Sequence, residues 1–261
     1  MTFSSLVPFL GAFVIAVLGT WLFARLAERI GAVSRVKSDR WHTSGEIPRL
    51  AGPAFLAAMS PWLPINHIIL LALFCLVGGL DDIRSLSAGV KAAALAGVAI
   101  LAGILTGLWW IPLAIWVACN AVNMLDHADG LAASTVAAAF LGLGEQAGIA
   151  GAGACMGFLC LNYPPARVFM GDSGSFFLGA AVVLTAGGQG SVPVVAWIAV
   201  PLVDAAFVVT SRLLRNKRPW VGGTDHLGHT LLRSGISGKM LPLIYGIAAL
   251  AIGMGITSRI N

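Results

Sequence analysis

The sequence predicts an all-α polytopic membrane protein, a bundle of about ten transmembrane helices with a cytoplasmic active site. Residues 1–261 read as one domain, since no polar linker divides them. Composition predicts this first: only 10% of the residues are charged and 58% are hydrophobic, against about 25% charged in a soluble domain. The apolar residues also gather into runs near the length a bilayer requires. Finally, the polar connections alternate between segments rich in charge and segments almost free of it.

The predicted spans are residues 6–24, 50–64, 67–80, 90–108, 110–123, 130–144, 147–163, 174–188, 192–211 and 240–257. The first ends in charged residues rather than a small-residue cleavage site, so it reads as a retained span. The second is short and carries Pro53 and Pro61, which suits a re-entrant segment or a continuation into its neighbour. Gly and Ala abundance, as in Ala92 to Gly107, suits close helix packing and carries no functional information. The four cysteines, Cys75, Cys119, Cys155 and Cys160, lie in apolar runs without metal or redox spacing. They read as small buried hydrophobes.

The charged connections are residues 25–49, 81–91, 123–129, 164–175 and 212–239, and every Lys and Arg except Arg259 lies in or beside them. The positive-inside rule makes this face cytoplasmic and turns both termini outward. The formal charge of +5 is explained by that bias, and a nucleic-acid partner is not expected. Nearly all acidic residues share the face, Glu145 excepted. A stable bundle does not require that. Carboxylates beside basic residues suit a site for a metal and an anionic ligand.

Five stretches carry the chemistry. Asn120 to Ala132 holds Asn120, Asn123, Asp126, His127 and Asp129 between two apolar runs. In a helix Asn123, Asp126 and Asp129 share one face, and Asn120 extends it by a turn. His127 reads as a solvated or packed imidazole rather than a ligand. Asp81 and Asp82 end an apolar span, where adjacent carboxylates hold a cation, move a proton, or pair with Arg84 as helix-end charges. Lys91 reaches a phosphate or snorkels from the next span. Asp172 stands between glycines ahead of a span, suited to a metal bridged to phosphate or to an ordinary N-cap. His226 and His229, with Asp225 and Arg233, lack a convincing zinc set. Phosphate contacts suit them better, and the basic run Arg212 to Arg218 mainly fixes topology. Arg40, His42 and Arg49 form a basic patch near the first spans.

Together, N-A-V-N-M-L-D-H-A-D-G and F-M-G-D-S-G-S, with the paired aspartates and the histidine loop in order from Asp39 to Gly235, resemble the polyprenyl-phosphate N-acetylhexosamine-1-phosphate transferase family. The resemblance implies transfer of a sugar-1-phosphate, such as N-acetylglucosamine-1-phosphate, from a UDP-N-acetylhexosamine to polyprenyl (undecaprenyl) phosphate. The products would be UMP and a polyprenyl-diphosphate sugar, opening cell-envelope polysaccharide synthesis. It implies Mg2+, with Mn2+ able to substitute, a bacterial inner membrane, and a homodimer. It gives Asp172 and Asn123 as metal contacts, and Asp129 as the uracil-recognising position. Lys91 would touch the diphosphate. One of Asp81 and Asp82 would act on the lipid phosphate, and Asp126 matches an essential aspartate. Asn120, Arg49, His226, His229 and Arg233 would bind substrate. The sequence departs from the family pattern at His127, where the family has Gly, at Gly228, where the family's loop has His, and at Ala51-Gly52. The missing run of three histidines leans towards the N-acetylglucosamine-1-phosphate branch and away from the muramoyl-pentapeptide branch. The competing readings are a transporter, which would need carboxylates near the midplane with access from both faces, and an inactive lipid-phosphate-binding relative.

Overall fold

The computed structural model describes residues 3–36, 45–218, 223 and 225–259. Arg40, His42 and Thr224 lie outside them. The chain is mostly helical. Its elements are α1 (Phe3–Ile30), β1 (Val33–Val36), β2 (Gly45–Pro48), α2 (Gly52–Met59), α3 (Ile65–Arg84), α4 (Ala88–Thr106), α5 (Ile111–Leu125), α6 (Leu131–Leu143), α7 (Gln146–Asn162), α8 (Gly171–Ala186), α9 (Ser191–Trp197), α10 (Ala199–Leu214), α11 (Leu227–Arg233) and α12 (Leu241–Thr257).

Three described helices are long and apolar enough to cross a membrane: Ser5–Ile30, Ile65–Arg84 and Ala88–Thr106. Five shorter apolar helices, α5, α6, α7, α8 and α12, accompany them. α2 has eight residues, about 12 Å of helix, too short for a bilayer core of roughly 30 Å. The expected second span is thus a buried half-helix, with Phe55, Ala58 and Met59 inside the core. The expected span 192–211 is two helices that break at Ile198, where φ is −100° and ψ 8°. Pro201 accounts for the break, because its ring clashes with the carbonyl four residues earlier, that of Trp197.

The all-α expectation also misses a hairpin. β1 and β2 pair antiparallel, with Val33 opposite Pro48 and Val36 opposite Gly45. The hairpin is positioned at its base by Arg49 N–H donating to the Ala32 carbonyl at 3.0 Å, and Phe169 N–H donates to the Pro48 carbonyl at 2.9 Å. The segment before α8 is thereby held against the segment before α2.

α8 is the axis of the fold. From Ser173 to Ala186 every residue is buried. Small residues permit this: a Cβ on Gly78 of α3 would lie 2.3 Å from the Asp172 carbonyl carbon, and one on Gly179 would lie 2.7 Å from the Cys119 backbone of α5. Glycines do the same between α7 and α1, where a Cβ on Gly153 would meet the Phe9 carbonyl oxygen at 2.2 Å. α4, by contrast, buries only Leu95, Ala99 and Ala102 and exposes Ile100, Ile104 and Leu105. An exposed apolar face of that kind suits lipid.

Candidate functional site

The charged connections converge at one end of the bundle. A cleft of about 490 Å3 opens there, lined among others by Arg49, Asn123, Asp126, His127, Asp129, Asp172, His229 and Arg233.

One wall is acidic. Asp82, at the end of α3, has a fully buried carboxylate. It accepts the backbone N–H groups of Asp172 at 2.9 Å and Ser173 at 3.0 Å, capping α8 from another helix, where an anion is favoured. Gly171, at φ +70°, is required at this approach, since a Cβ there would lie 2.6 Å from Asp82 Oδ2. Gly171 thus makes room for the protein's own carboxylate, and Gly174 for the Met170 side chain. Arg49 donates to the Asp82 carbonyl at 3.1 Å, and its Nε lies 3.8 Å from the carboxylate. Arg84, the alternative partner for the pair, is exposed and bonds to neither aspartate among the described residues.

Asp81 accepts the Leu86 N–H at 2.7 Å and the Lys91 ammonium at 3.2 Å. Lys91 also donates to Asp172 at 2.6 Å. Asn123 donates to the other Asp172 oxygen at 2.7 Å and to Ser175 Oγ at 3.0 Å. Asp81, Asp82 and Lys91 therefore stand behind Asp172 and Asn123 rather than on the cleft surface. Asn120 is elsewhere: its amide donates to the Trp116 carbonyl of its own helix at 2.7 Å, and it does not line the cleft.

Asn123, Asp126 and Asp129 do not share a helical face. α5 stops at Leu125, and residues 126–130 form a turn closed by Gly130 at φ +69°. The turn is stitched to the loop after α7: Asp129 accepts the Ala166 N–H at 2.8 Å, and Asn162 accepts the Gly130 N–H at 3.0 Å. The outcome the sequence sought is nonetheless reached, because all three residues line the cleft. The Asp126 carboxylate has no hydrogen bond or ion pair among the described residues. Burial first, then the charges of Asp172, Asp82 and Asp129, push its pKa well above the usual carboxylate range.

The opposite wall is built on imidazoles. His226 is buried and faces Asp204 Oδ2 through Nδ1 at 2.9 Å. Asp204 also accepts the Leu227 N–H at 3.1 Å, capping α11, and the Tyr245 hydroxyl at 3.4 Å. The His127 ring stacks on His226 with centroids 4.0 Å apart and lies 4.8 Å from His229. Burial, and then His226, push the His127 pKa down to about 3, so that ring is neutral. His229 and Arg233 reach the cleft, whereas His226 stands behind them. Sequence reasoning missed Asp204. The available signal was a lone carboxylate inside an apolar run, which leans functional by default.

Two metal arrangements can be tested against these residues. Ligand atoms of His127, Asp204 and His226 lie within 4.8 Å of one another. A metal sits in the plane of each ring that binds it, and two rings 4.0 Å apart and 26° from parallel cannot aim at one ion. The acidic wall fits better. Asp172, Asn123 and Asp126 offer the hard oxygen donors that suit a magnesium-like cation, and the unsatisfied Asp126 carboxylate sits among further negative charge.

Fold and cleft define a helical membrane protein that gathers carboxylates, imidazoles and guanidinium groups at one end of its bundle. The family model for glycosyl transferase family 4 matches residues 100–187. The chain is 30% identical to the probable undecaprenyl-phosphate N-acetylglucosaminyl 1-phosphate transferase of Bacillus subtilis, over 91% of this chain and 80% of the relative. It is 31% identical to a phospho-N-acetylmuramoyl-pentapeptide-transferase of a Synechococcus species, over 94% of this chain and 87% of the relative. With the undecaprenyl-phosphate alpha-N-acetylglucosaminyl 1-phosphate transferase of Salmonella typhi it shares 26% identity, over 98% and 84% respectively. The chain belongs to glycosyl transferase family 4.

Proposed function

We propose that the protein transfers a sugar-1-phosphate from a UDP-N-acetylhexosamine to a polyprenyl phosphate such as undecaprenyl phosphate, releasing UMP. The observation that carries this is the meeting of three stretches far apart in sequence: Asn123, Asp129 and Asp172 line one cleft, with Asp82 and Lys91 directly behind Asp172. The relatives' names agree with it. Gathering the carboxylates at one end argues against a carrier with access from both sides.

Phosphoryl transfer is mainly positioning and charge stabilisation. In this reading Asp172, with Asn123 and Asp126, would hold Mg2+, whose charge would screen the repulsion between two anionic substrates. Asp82 is a positioning residue, since its oxygens are committed to the start of α8. Asp81 and Lys91 hold Asp172 in place. Asp129, on the turn, meets the nucleotide, and His229 and Arg233 meet the phosphates and sugar from the opposite wall. The reading completes itself with about ten crossings of a bacterial inner membrane, the cleft on the cytoplasmic side, and a homodimer.

The test is UMP release by purified protein given UDP-N-acetylglucosamine, undecaprenyl phosphate and Mg2+. Turnover abolished by chelation and restored by Mg2+ or Mn2+ is the expected result. Absence of UMP release from every UDP-N-acetylhexosamine, with folded protein, overturns it. Cross-linking in the membrane reports the dimer. Cysteine accessibility beside Asp129 from one face only is expected.

A further inference from the structure

His127, on the turn after α5, and Gly228, in the first turn of α11, meet in space. His127 Nδ1 lies 3.2 Å from the Met124 carbonyl. A carbonyl can only accept, so Nδ1 carries the proton and Nε2 is a bare acceptor. Nε2 is buried and has no hydrogen-bond partner. It points at Gly228: a Cβ there would lie 2.6 Å from it. The ring also stacks on His226 and abuts His229. Its neighbours on that side are thus residues 226, 228 and 229, the start of α11, and the imidazole fills a socket in that turn.

α11 has seven residues, too few to hold a helix without tertiary support. It nonetheless presents His229 and Arg233 to the cleft. Leu232 ties its far end into the apolar cluster with Leu241 and Tyr245, while Asp204 holds its N-terminus and the His127 ring lies beneath its first turn. We infer that His127 is a positioning residue of the transfer site: by plugging the first turn of α11 it sets His229 and Arg233 opposite Asp126 and Asp129, and residue 228 must be glycine because the imidazole arrives from position 127. This rests on the proposed transfer reaction.

The test is a double-mutant cycle read by steady-state UMP release. His127→Gly and Gly228→Ala each raise the KM for the UDP-sugar about tenfold and lower kcat less, because the network of Asp172, Asn123 and Lys91 is untouched. The double variant His127→Gly/Gly228→Ala is no worse than either single one, since the clash needs both groups. His127→Gly/Gly228→His, which returns an imidazole from the opposite side, recovers KM to within about threefold of the wild type. Effects that multiply in the double variants, or a KM unchanged in His127→Gly, overturn the inference. If Gly228→Ala does not fold, regained yield of extracted protein in His127→Gly/Gly228→Ala reads the same coupling, and unchanged low yield overturns it. A wild type that releases no UMP sinks the reaction itself. An active wild type with uncoupled variants sinks only the pairing.

Discussion

The two walls of the cleft are built by different means. On the acidic wall Asp81, Asp82, Asn123 and Asp172 sit at the ends of helices that run through the core, and their side chains bond to one another, to backbone N–H groups and to Lys91. The imidazole wall hangs on a seven-residue helix held by one buried carboxylate, one ring and the packing of Leu231 and Leu232 in the small apolar cluster with Leu241 and Tyr245. The first is preorganised, as electrostatic catalysis requires. The second has few polar contacts and a small apolar cluster, the pattern expected of a segment that admits and releases substrate. Perturbing the acidic wall should cost chemistry, and perturbing the other should cost binding.

The largest effect expected is on the acidic wall. Asp172→Ala should lower kcat by at least about a hundredfold with a smaller change in KM, measured by UMP release. A loss confined to KM would make the two walls alike. Asp82→Ala comes next and should act through stability. It strips the acceptor from two backbone N–H groups and removes the carboxylate 3.8 Å from Arg49 Nε, at a cost of about 1–3 kcal/mol, read as a lower Tm in detergent. An unchanged Tm would show that α8 does not need this cap.

The acidic wall was the more legible in the sequence, and the physics says why. Carboxylates at the ends of apolar runs have few uses in a lipid-facing bundle, so Asp81, Asp82 and Asp172 stood out. Their division of labour did not. Whether a carboxylate faces a ligand or caps a helix depends on a neighbour brought in by folding, and Gly171 reserves its space for Asp82. The shared helical face of Asn123, Asp126 and Asp129 failed because periodicity cannot see the turn that Gly130 closes. On the imidazole wall Asp204 was hidden inside an apolar run, and β1 and β2 were too short and polar to register against surrounding helices. Ala51-Gly52 read as a departure. In the fold Gly52 is simply a contact point, where a Cβ would meet the Ser173 carbonyl oxygen at 2.5 Å.

A third change separates function from stability within the acidic wall. Asp126 has a raised pKa in the folded protein, whereas an unfolded aspartate ionises near pH 4. Between those two values the unfolded chain has released its proton and the folded one has not, so stability falls as pH rises through that window. Asp126→Asn removes the penalty. The variant should melt above the wild type at neutral pH, with the gain fading as pH drops towards about 4, while UMP release is lost. A variant that melts lower would mean that the carboxylate has a stabilising partner.

The smallest effect expected lies on the rim of the imidazole wall, where two arginines share Asp225. Arg215 Nη1 is 3.2 Å from one carboxylate oxygen with 61% of its side chain exposed, and Arg212 Nε is 3.4 Å from the other with 6% exposed. Exposed pairs contribute about 0–1 kcal/mol and are screened by salt. Arg215→Ala should therefore cost less than about 1 kcal/mol, and that difference should vanish at high salt. Arg212→Ala should cost more and keep its cost in salt, since it removes a buried stem that packs as well as a charge. Thermal melts of both variants at low and high salt make the comparison. Equal, salt-sensitive losses would mean that the rim is held by charge alone. Unequal ones would place the support of this wall beneath its surface, where Asp204 and His127 already anchor α11.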